Sequence, residues 1–386
     1  MAEIGSIEGL PLGTGVVHVA VASCADVAET QLCEGMTVFW LGNRPIGHVL
    51  VHQGETTVSK IGHIDAEFLT AIDAEMQTPA KTTLSVSVVI CTRDRPNELS
   101  VCLSSLPRQS YPPREIIVVD NASRDQRTRD VALAAGVTYV REDRPGLDIA
   151  RNTGALRATS DVVAYTDDDV LLHPHWLERL VSAFDAPEIG AVTGLVLPAE
   201  LATEEQRHFE TYWGFGKGYR QQDFDSTRFN SHRGRAFPAW DIGAGASMAF
   251  RREVFKNIGL FDERLDVGQA GCSGDSEYWY RLLARGYICR YSPASVAFHF
   301  HRKTADGLAS QIYHYMRGHA AALLVQYERT GIAANRFQAY YYTPRWYLYR
   351  LLRRMLGRNI RDRFLKEEIT GYFAGLRFYR RRRNRQ

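Results

Sequence analysis

In the run YTDDDV, three carboxylates, Asp167, Asp168 and Asp169, follow directly on an apolar stretch. Carboxylates this close repel one another unless a cation sits among them. Hard oxygen donors in this number suit Mg2+ or Mn2+, ions that share their remaining positions with water and phosphate oxygens. One Asp there would be a helix cap; three read as a metal site. Asp120 ends the run EIIVVD and opens a polar turn, Asn121 to Asp125, able to hydrogen-bond a base or ribose, although Asp at such a place is also common turn chemistry. In RPGLDIARNTGA, Arg151 and Asn152 fall on a helix entered through Gly146, where Arg151 can neutralise a diphosphate or be a plain surface charge. Asp275 lies at or near the start of the helix DSEYWYRLLARG, a capping position whose dipole keeps a carboxylate ionised. In ASVAFHFHRKT the alternation puts His299 and His301 on one face.

The elements that must carry these residues alternate in type. From Ser85 the runs SVSVVICT, EIIVVD, VTYVR and DVVAYT read as strands, and PNELSVCLSSL, a polar stretch and LDIARNTGALRAT read as helices between them. That order predicts an α/β fold with βαβ units and a mostly parallel sheet, whose ligands bind beyond the carboxyl ends of the strands. Thr92 to Arg95, Asp120 to Ser123 and Asp167 to Asp169 stand at those ends. Residues 1–80 hold short β-type runs, VVHVAVAS and MTVFWLGNRPIGHVLVHQ, with a hairpin turn at NRPIG. They predict a small β-rich N-terminal domain with a packing or docking role, closed by the linker AEMQTPAKTT. In GAGASMAF the small residues fit a close backbone approach, or an ordinary tight turn, before a helix opening at Arg251 and Arg252.

Six linked motifs, SVVICTRDRP, VVDNASRD, RPGLDIARNTGA, YTDDDV, GAGASMAFRREVFKNIGLFDERL and GDSEYWYRLLARGY, resemble in order and spacing the family 2 glycosyltransferases. The resemblance covers about residues 84–303. It implies the GT-A fold, a nucleotide-binding Rossmann-like sheet fused to an acceptor half, and inverting transfer of a sugar from a nucleotide-diphosphate donor to a hydroxyl. Carried onto this sequence, it implies donor contacts from Thr92, Arg93, Asp120, Asn121, Arg151, Asn152, Asp167 and Asp168. Asp167 to Asp169 would be the DxD element, with Asp169 and the late histidine, assigned to His301 because Arg302 and Lys303 adjoin it, at the metal. Gly245, Ala246 and Ser247 would face the acceptor. Where the family carries an acidic pair this chain has Gly274 and Asp275, which leaves Asp275 as general base and Glu277 in reserve. Asn121 stands where the family often has a second acid.

The 386 residues, 45% hydrophobic and 24% charged, are enough for more than one unit and exclude wholesale disorder. Six cysteines without CxxC spacing read as reduced thiols of a cytoplasmic protein. No basic n-region precedes the first apolar run, and no stretch reaches the ~20 apolar residues of a membrane span. The net charge of +3 conceals an asymmetry: residues 305–386 hold 17 Lys and Arg against 5 Asp and Glu. Those residues predict a basic, aromatic helical extension, either lying on an anionic membrane at the inner face or packed on the catalytic domain with a disordered basic tail. A nucleic-acid partner is not expected, because the rest of the chain is acidic and the DDD segment would go unexplained. The expected partners are a nucleotide-sugar donor and a saccharide or lipid-linked acceptor, as in cell-surface polysaccharide or glycoconjugate synthesis. A catalytically inactive nucleotide-sugar scaffold is the alternative, and a nucleotidyltransferase ranks below it, since CTRDRPNE replaces the glycine-rich phosphate loop.

Overall fold

A computed structural model describes residues 13–51, 64–77, 82–232, 234–357 and 363–383. The N-terminal part contains strands β1 (Val16–Ala20), β2 (Gly35–Leu41) and β3 (Arg44–Val51), with helices α1 (Cys24–Glu29) and α2 (Ala66–Gln77). β1 and β2 are parallel and β2 and β3 antiparallel. The hairpin turn is Gly42 and Asn43, with Gly42 at φ +56; Arg44 and Pro45, expected in the turn, already belong to β3. α2 absorbs the first residues of the expected linker, and residues 78–81 lie outside the described residues. The small sheet shares one hydrophobic core with the large one. Trp40 is fully buried, stacked on His173 at 5.5 Å, and His18 meets Phe298 edge-on at 5.7 Å.

The central region runs β4 (Val86–Thr92), α3 (Pro96–Ser105), β5 (Glu115–Asn121), α4 (Arg127–Ala134), β6 (Thr138–Glu142), α5 (Leu147–Arg157), β7 (Val162–Asp167), β8 (Val170–Leu172), α6 (Trp176–Ser182) and β9 (Ile189–Pro198). It continues through α7 (Glu204–Trp213), β10 (Gln222–Phe224), α8 (Ser226–Ser231), β11 (Ser247–Arg251), α9 (Arg252–Asn257), α10 (Gly274–Ala284) and β12 (Ile288–His299). β4 is buried along its whole length, which explains why its residues are apolar on both faces apart from Ser87 and Thr92. The nine-stranded sheet has the order β10-β12-β9-β11-β7-β4-β5-β6, with β8 paired to β12. β7, β4, β5 and β6 are mutually parallel, as the βαβ pattern requires. β11 is antiparallel to both β7 and β9, so the second half of the sheet is mixed. Because β4 pairs with β5 on one side and β7 on the other, its C-terminal end is a topological switch point where a crevice opens.

The C-terminal residues form α11 (Ala305–Thr330), α12 (Ala333–Phe337), a short π-helical turn over Gln338–Tyr342, α13 (Thr343–Met355) and α14 (Leu365–Arg383). α14 lies close along α11: a Cβ on Gly371 would come within 2.3 Å of the Tyr313 carbonyl oxygen, and one on Gly375 within 2.1 Å of that of Arg317. Glycine at both places lets the two backbones approach. α14 is helical as far as Arg383, which departs from the disordered basic tail, and its Tyr372, Leu376 and Tyr379 are buried against α11.

Candidate active site

A cleft of about 1560 Å3 opens above the switch point and runs from β4 and β7 to α10 and α11. At one end stand the residues of the DDD segment. Asp167 ends β7, and Asp168 and Asp169 form the turn into β8. Thr92, the last residue of β4, donates its hydroxyl to Asp168 Oδ2 at 2.7 Å. Arg95, in the loop that follows, holds both neighbours: its guanidinium pairs with Asp168 and, at 2.8 Å, with Asp169. Asp169 Oδ1 lies 3.3 Å from His299 Nε2 at the end of β12. One donor atom each from Asp167, Asp169 and His299 lie within 4.8 Å of one another.

The electrostatics of this end divide the three aspartates. Burial, reinforced by the neighbouring Asp169 charge, raises Asp167 to about 6. Burial raises Asp168 to about 7 against the pull of Arg95. Burial acts on Asp169 in the same direction, but His299 and Arg95 outweigh it and hold that carboxyl well below the usual range. Burial alone would lower His299; its contact with Asp169 raises it instead. Two carboxylate oxygens and an imidazole nitrogen in a buried group, already balanced by a guanidinium, are a donor set that fits Mg2+ or Mn2+.

A hydrogen-bonded chain stands behind His299. His299 Nδ1 lies 2.9 Å from His301 Nδ1, and His301 Nε2 lies 3.0 Å from Glu210 Oε2 on α7. With His301 donating its Nε2 proton to the carboxylate, its Nδ1 accepts from His299 and leaves His299 Nε2 turned toward the aspartates. His301 was the expected metal residue; in the structure it is His299 that lies beside Asp167 and Asp169, while His301 turns to Glu210.

At the other end Asp275 occupies the first turn of α10, half-buried and lining the cleft. Its Oδ1 accepts from the Ser276 backbone N–H at 2.6 Å. Burial raises its pKa, with Asp266 adding to the shift and Arg151 opposing it, so the helix dipole does not dominate here. Arg151 is buried beneath, donating to Asp148 at 3.0 Å and to Asp266 at 2.6 Å. Although it lines the cleft, its charge is already shared among carboxylates rather than left open for a diphosphate. Gly245 is fixed by the same cluster, since a Cβ there would sit 2.8 Å from both Arg151 Nη2 and Asp275 Oδ2. The missing acid at Gly274 has a spatial reason: a Cβ on that residue would lie 1.9 Å from Asp148 Oδ2.

The remaining expectations divide. Arg93, Asn121 and Ala246 line the cleft. Asn121 also braces its wall, accepting from the Gly146 N–H and donating to the Arg144 carbonyl, each at 2.8 Å. Asp120 is fully buried and accepts from Ser123 N, Tyr139 Oη and Arg141 Nη1, so its lone pairs are spent on β5, β6 and their turn. Asn152 clamps the backbone of Phe261 through both amide atoms. Ser247 belongs to β11 and accepts from Trp176 Nε1 in the core; SMAFR is a strand, and the helix begins at Arg252. Glu277 is fully buried, held by Arg281 at 2.7 Å, and is no reserve base. The sequence marks Arg95 only as the end of the polar stretch Thr92 to Arg95 beyond β4, with no role of its own. Lys217, Asp266 and Arg302 also line the cleft.

Residues 87–259 match the family described as Glycosyl transferase family 2, and the chain carries a domain of that family. It is 29% identical over 192 residues to a glucosyl-dolichyl phosphate glucuronosyltransferase of Haloferax volcanii, covering 46% of this chain and 56% of that protein. It is 25% identical over 288 residues to the O-antigen biosynthesis protein RfbC of Myxococcus xanthus, covering 70% and 21%, and 32% identical over 224 residues to the succinoglycan biosynthesis protein ExoM of Rhizobium meliloti, covering 55% and 65%. In each case the match spans less than two thirds of the relative's own length. Among solved structures, the mannosyltransferase PcManGT of Pyrobaculum calidifontis, in complex with GDP-Man and Mn2+, superposes with a TM-score of 0.51 at 20% identity, over 80% of this chain and 93% of that one. The fold is GT-A.

Proposed function

We propose that the protein is an inverting, metal-dependent glycosyltransferase that moves a sugar from a nucleotide-diphosphate donor to a hydroxyl of a saccharide or lipid-linked acceptor. Polysaccharide or glycoconjugate synthesis is the setting that the names of its relatives suggest, and a cytoplasmic location fits. The observation that carries the reading is one cleft with a cation-binding carboxylate cluster at one end and a raised-pKa carboxylate, Asp275, at the other. Asp167, Asp169 and His299 would hold the ion, with Asp168 kept in place by Thr92. When bound, Mg2+ or Mn2+ supplies positive charge for the departing diphosphate. Asp275 takes the proton from the acceptor hydroxyl as that oxygen bonds to the anomeric carbon. The bond from that carbon to the donor's phosphate oxygen breaks on the opposite face, and its electron pair leaves with the nucleotide, which inverts the centre. Gly245 leaves room beside Asp275 for the acceptor, and Arg95 and Arg302 add positive charge near the donor. The division into an N-terminal unit of residues 1–80, a catalytic unit of 84–303 and an extension of 305–386 stands as part of this proposal.

Thermal stabilisation across a panel of nucleotide sugars, with and without Mn2+, tests it. One nucleotide class should raise the melting temperature only with the metal, and Asp169→Ala should lose that rise. A flat response to every donor, or an undiminished one in Asp169→Ala, would refute the donor site.

A further inference from the structure

Residues 333–357 contain five arginines and no Asp or Glu. Within them α13 is tied to the protein along one narrow edge. Tyr347 is buried against the Tyr372 ring of α14, with centroids 5.6 Å apart, and Arg350 pairs with Glu368 of the same helix, Nη2 to Oε1 at 3.0 Å. Leu348, Leu351, Leu352 and Met355 recur at i, i+3, i+4 and i+7 and are 58%, 41%, 51% and 82% exposed. That spacing ordinarily marks the stripe a helix buries. Here it faces out, whereas the apolar residues of α11 and α14 are packed together. Trp346, stacked on Tyr349 at 5.5 Å, and the exposed Phe337, Tyr341 and Leu356 extend the apolar surface. Arg235 and Arg345 line a small pocket beside it with Tyr342, Trp346 and Tyr349.

We propose that the outer face of α12 and α13 docks on the surface of an anionic lipid bilayer. An apolar stripe bordered by arginines and free of acids matches lipid that is apolar below and negatively charged above, and the long arginine stems let the charge stay at headgroup level. A second copy of the same face would bring arginine against arginine with no acid in the segment to answer it. Across a bilayer, the pocket beneath Arg235 and Arg345 suits a lipid phosphate. The segment that starts at Arg235 continues to Phe237, Ala239 and Trp240, which line the catalytic cleft. Docking therefore sets the acceptor end of the cleft beside lipid, and, resting on the proposed function, favours a lipid-linked acceptor. Among the described residues no helix is long and apolar enough to cross a membrane, so the contact is one of lying on the surface.

Co-sedimentation of the full chain with vesicles of phosphatidylcholine alone, and of phosphatidylcholine with phosphatidylglycerol, tests the docking separately from the chemistry. The native protein should bind the anionic vesicles and release in high salt. A variant carrying Leu348→Ser, Leu352→Ser and Met355→Ser should bind about tenfold more weakly, as should Arg345→Gln with Arg354→Gln, each keeping the native circular dichroism melt and metal-dependent donor stabilisation. Equal binding by native and variant chains, or none by the native chain, would overturn the inference. So would a dimer in light scattering that the serine variant abolishes while vesicle binding is absent. Loss of donor stabilisation in the native protein alongside intact vesicle binding would count against the transfer reading and leave the docking standing.

Discussion

The cleft holds two carboxylate clusters, each answered by one arginine, and they are built differently. Arg151 is 5% exposed, sits on a helix, and meets Asp148, Asp266 and Asp275 from below. Arg95 is 26% exposed and sits in a loop, beside Asp168 and Asp169. Moving the first would leave buried charge with no other cation beside it; moving the second costs less, because water reaches Arg95 and His299 also faces Asp169. The first arginine is a permanent part of the fold that sets the charge around Asp275. The second is a counter-ion that another cation can replace. Two sites of similar composition thus differ in whether their positive charge can exchange, and only the exchangeable one is suited to a metal.

The largest effect expected from breaking this contrast is at Asp275. Asp275→Asn should lower transfer by about 10^3-fold or more, the scale of a lost general base, while donor and Mn2+ still stabilise the protein in a melt. Because burial raises the native group, transfer should fall with decreasing pH through a midpoint above the ~4 of an ordinary carboxylate; a midpoint at or below it would argue against Asp275 as the base. Arg151→Met should cost about 3–5 kcal/mol of stability, read by denaturant unfolding at neutral pH. The deficit exists only while the carboxylates are ionised. It should therefore shrink as pH falls, beginning above the ordinary carboxylate range, since Asp148 and Asp275 are both raised by burial.

At the exchangeable end, Glu210→Gln should weaken Mn2+ binding in calorimetry, by less than the ~10–100-fold usual for an outer hydrogen bond made directly to a metal-binding histidine, because Glu210 acts one step further back, through His301. Since Glu210 touches none of the proposed ligands, unchanged affinity would dissolve the His301–His299 chain as a positioning device. The smallest change is expected from Arg95→Ala. The loss of stability should be smaller than for Arg151→Met, since Arg95 is itself partly exposed, and Mn2+ affinity should rise a few-fold because the competing guanidinium is gone. Weaker Mn2+ binding would mean that Arg95 supports the site instead of occupying it.

Much of this was legible because it is local. The four parallel strands declared themselves through apolar runs and the helices between them, and Asp167 to Asp169 through sheer density of charge after a strand. Asp275 could be placed at a helix start, while its role as base was implied only by the family resemblance. What the sequence did not show is of another kind. Glu277 follows Asp275 by two residues but points into the core toward Arg281. Ser247 reads as part of a small-residue loop but begins a strand whose hydroxyl is taken by Trp176. Asp120 at the end of β5 and Asn152 on α5 have suitable chemistry, yet their atoms are spent on neighbouring backbone and side chains.

What the sequence by itself determined is the order of elements and the place of each polar residue along them, because strand and helix periodicity act over a few residues. The choice among candidate side chains was made by partners far away in the chain. Arg95 reaches Asp168 across 73 positions, Glu210 claims His301 across 91, and Asp266 claims Arg151 across 115. A buried charge or imidazole takes the orientation that satisfies its hydrogen bonds and neutralises it at least cost. Which neighbour does so is set by the packing of β4, β7, α5, α7 and β12 around one cleft, and no pattern along the chain encodes it.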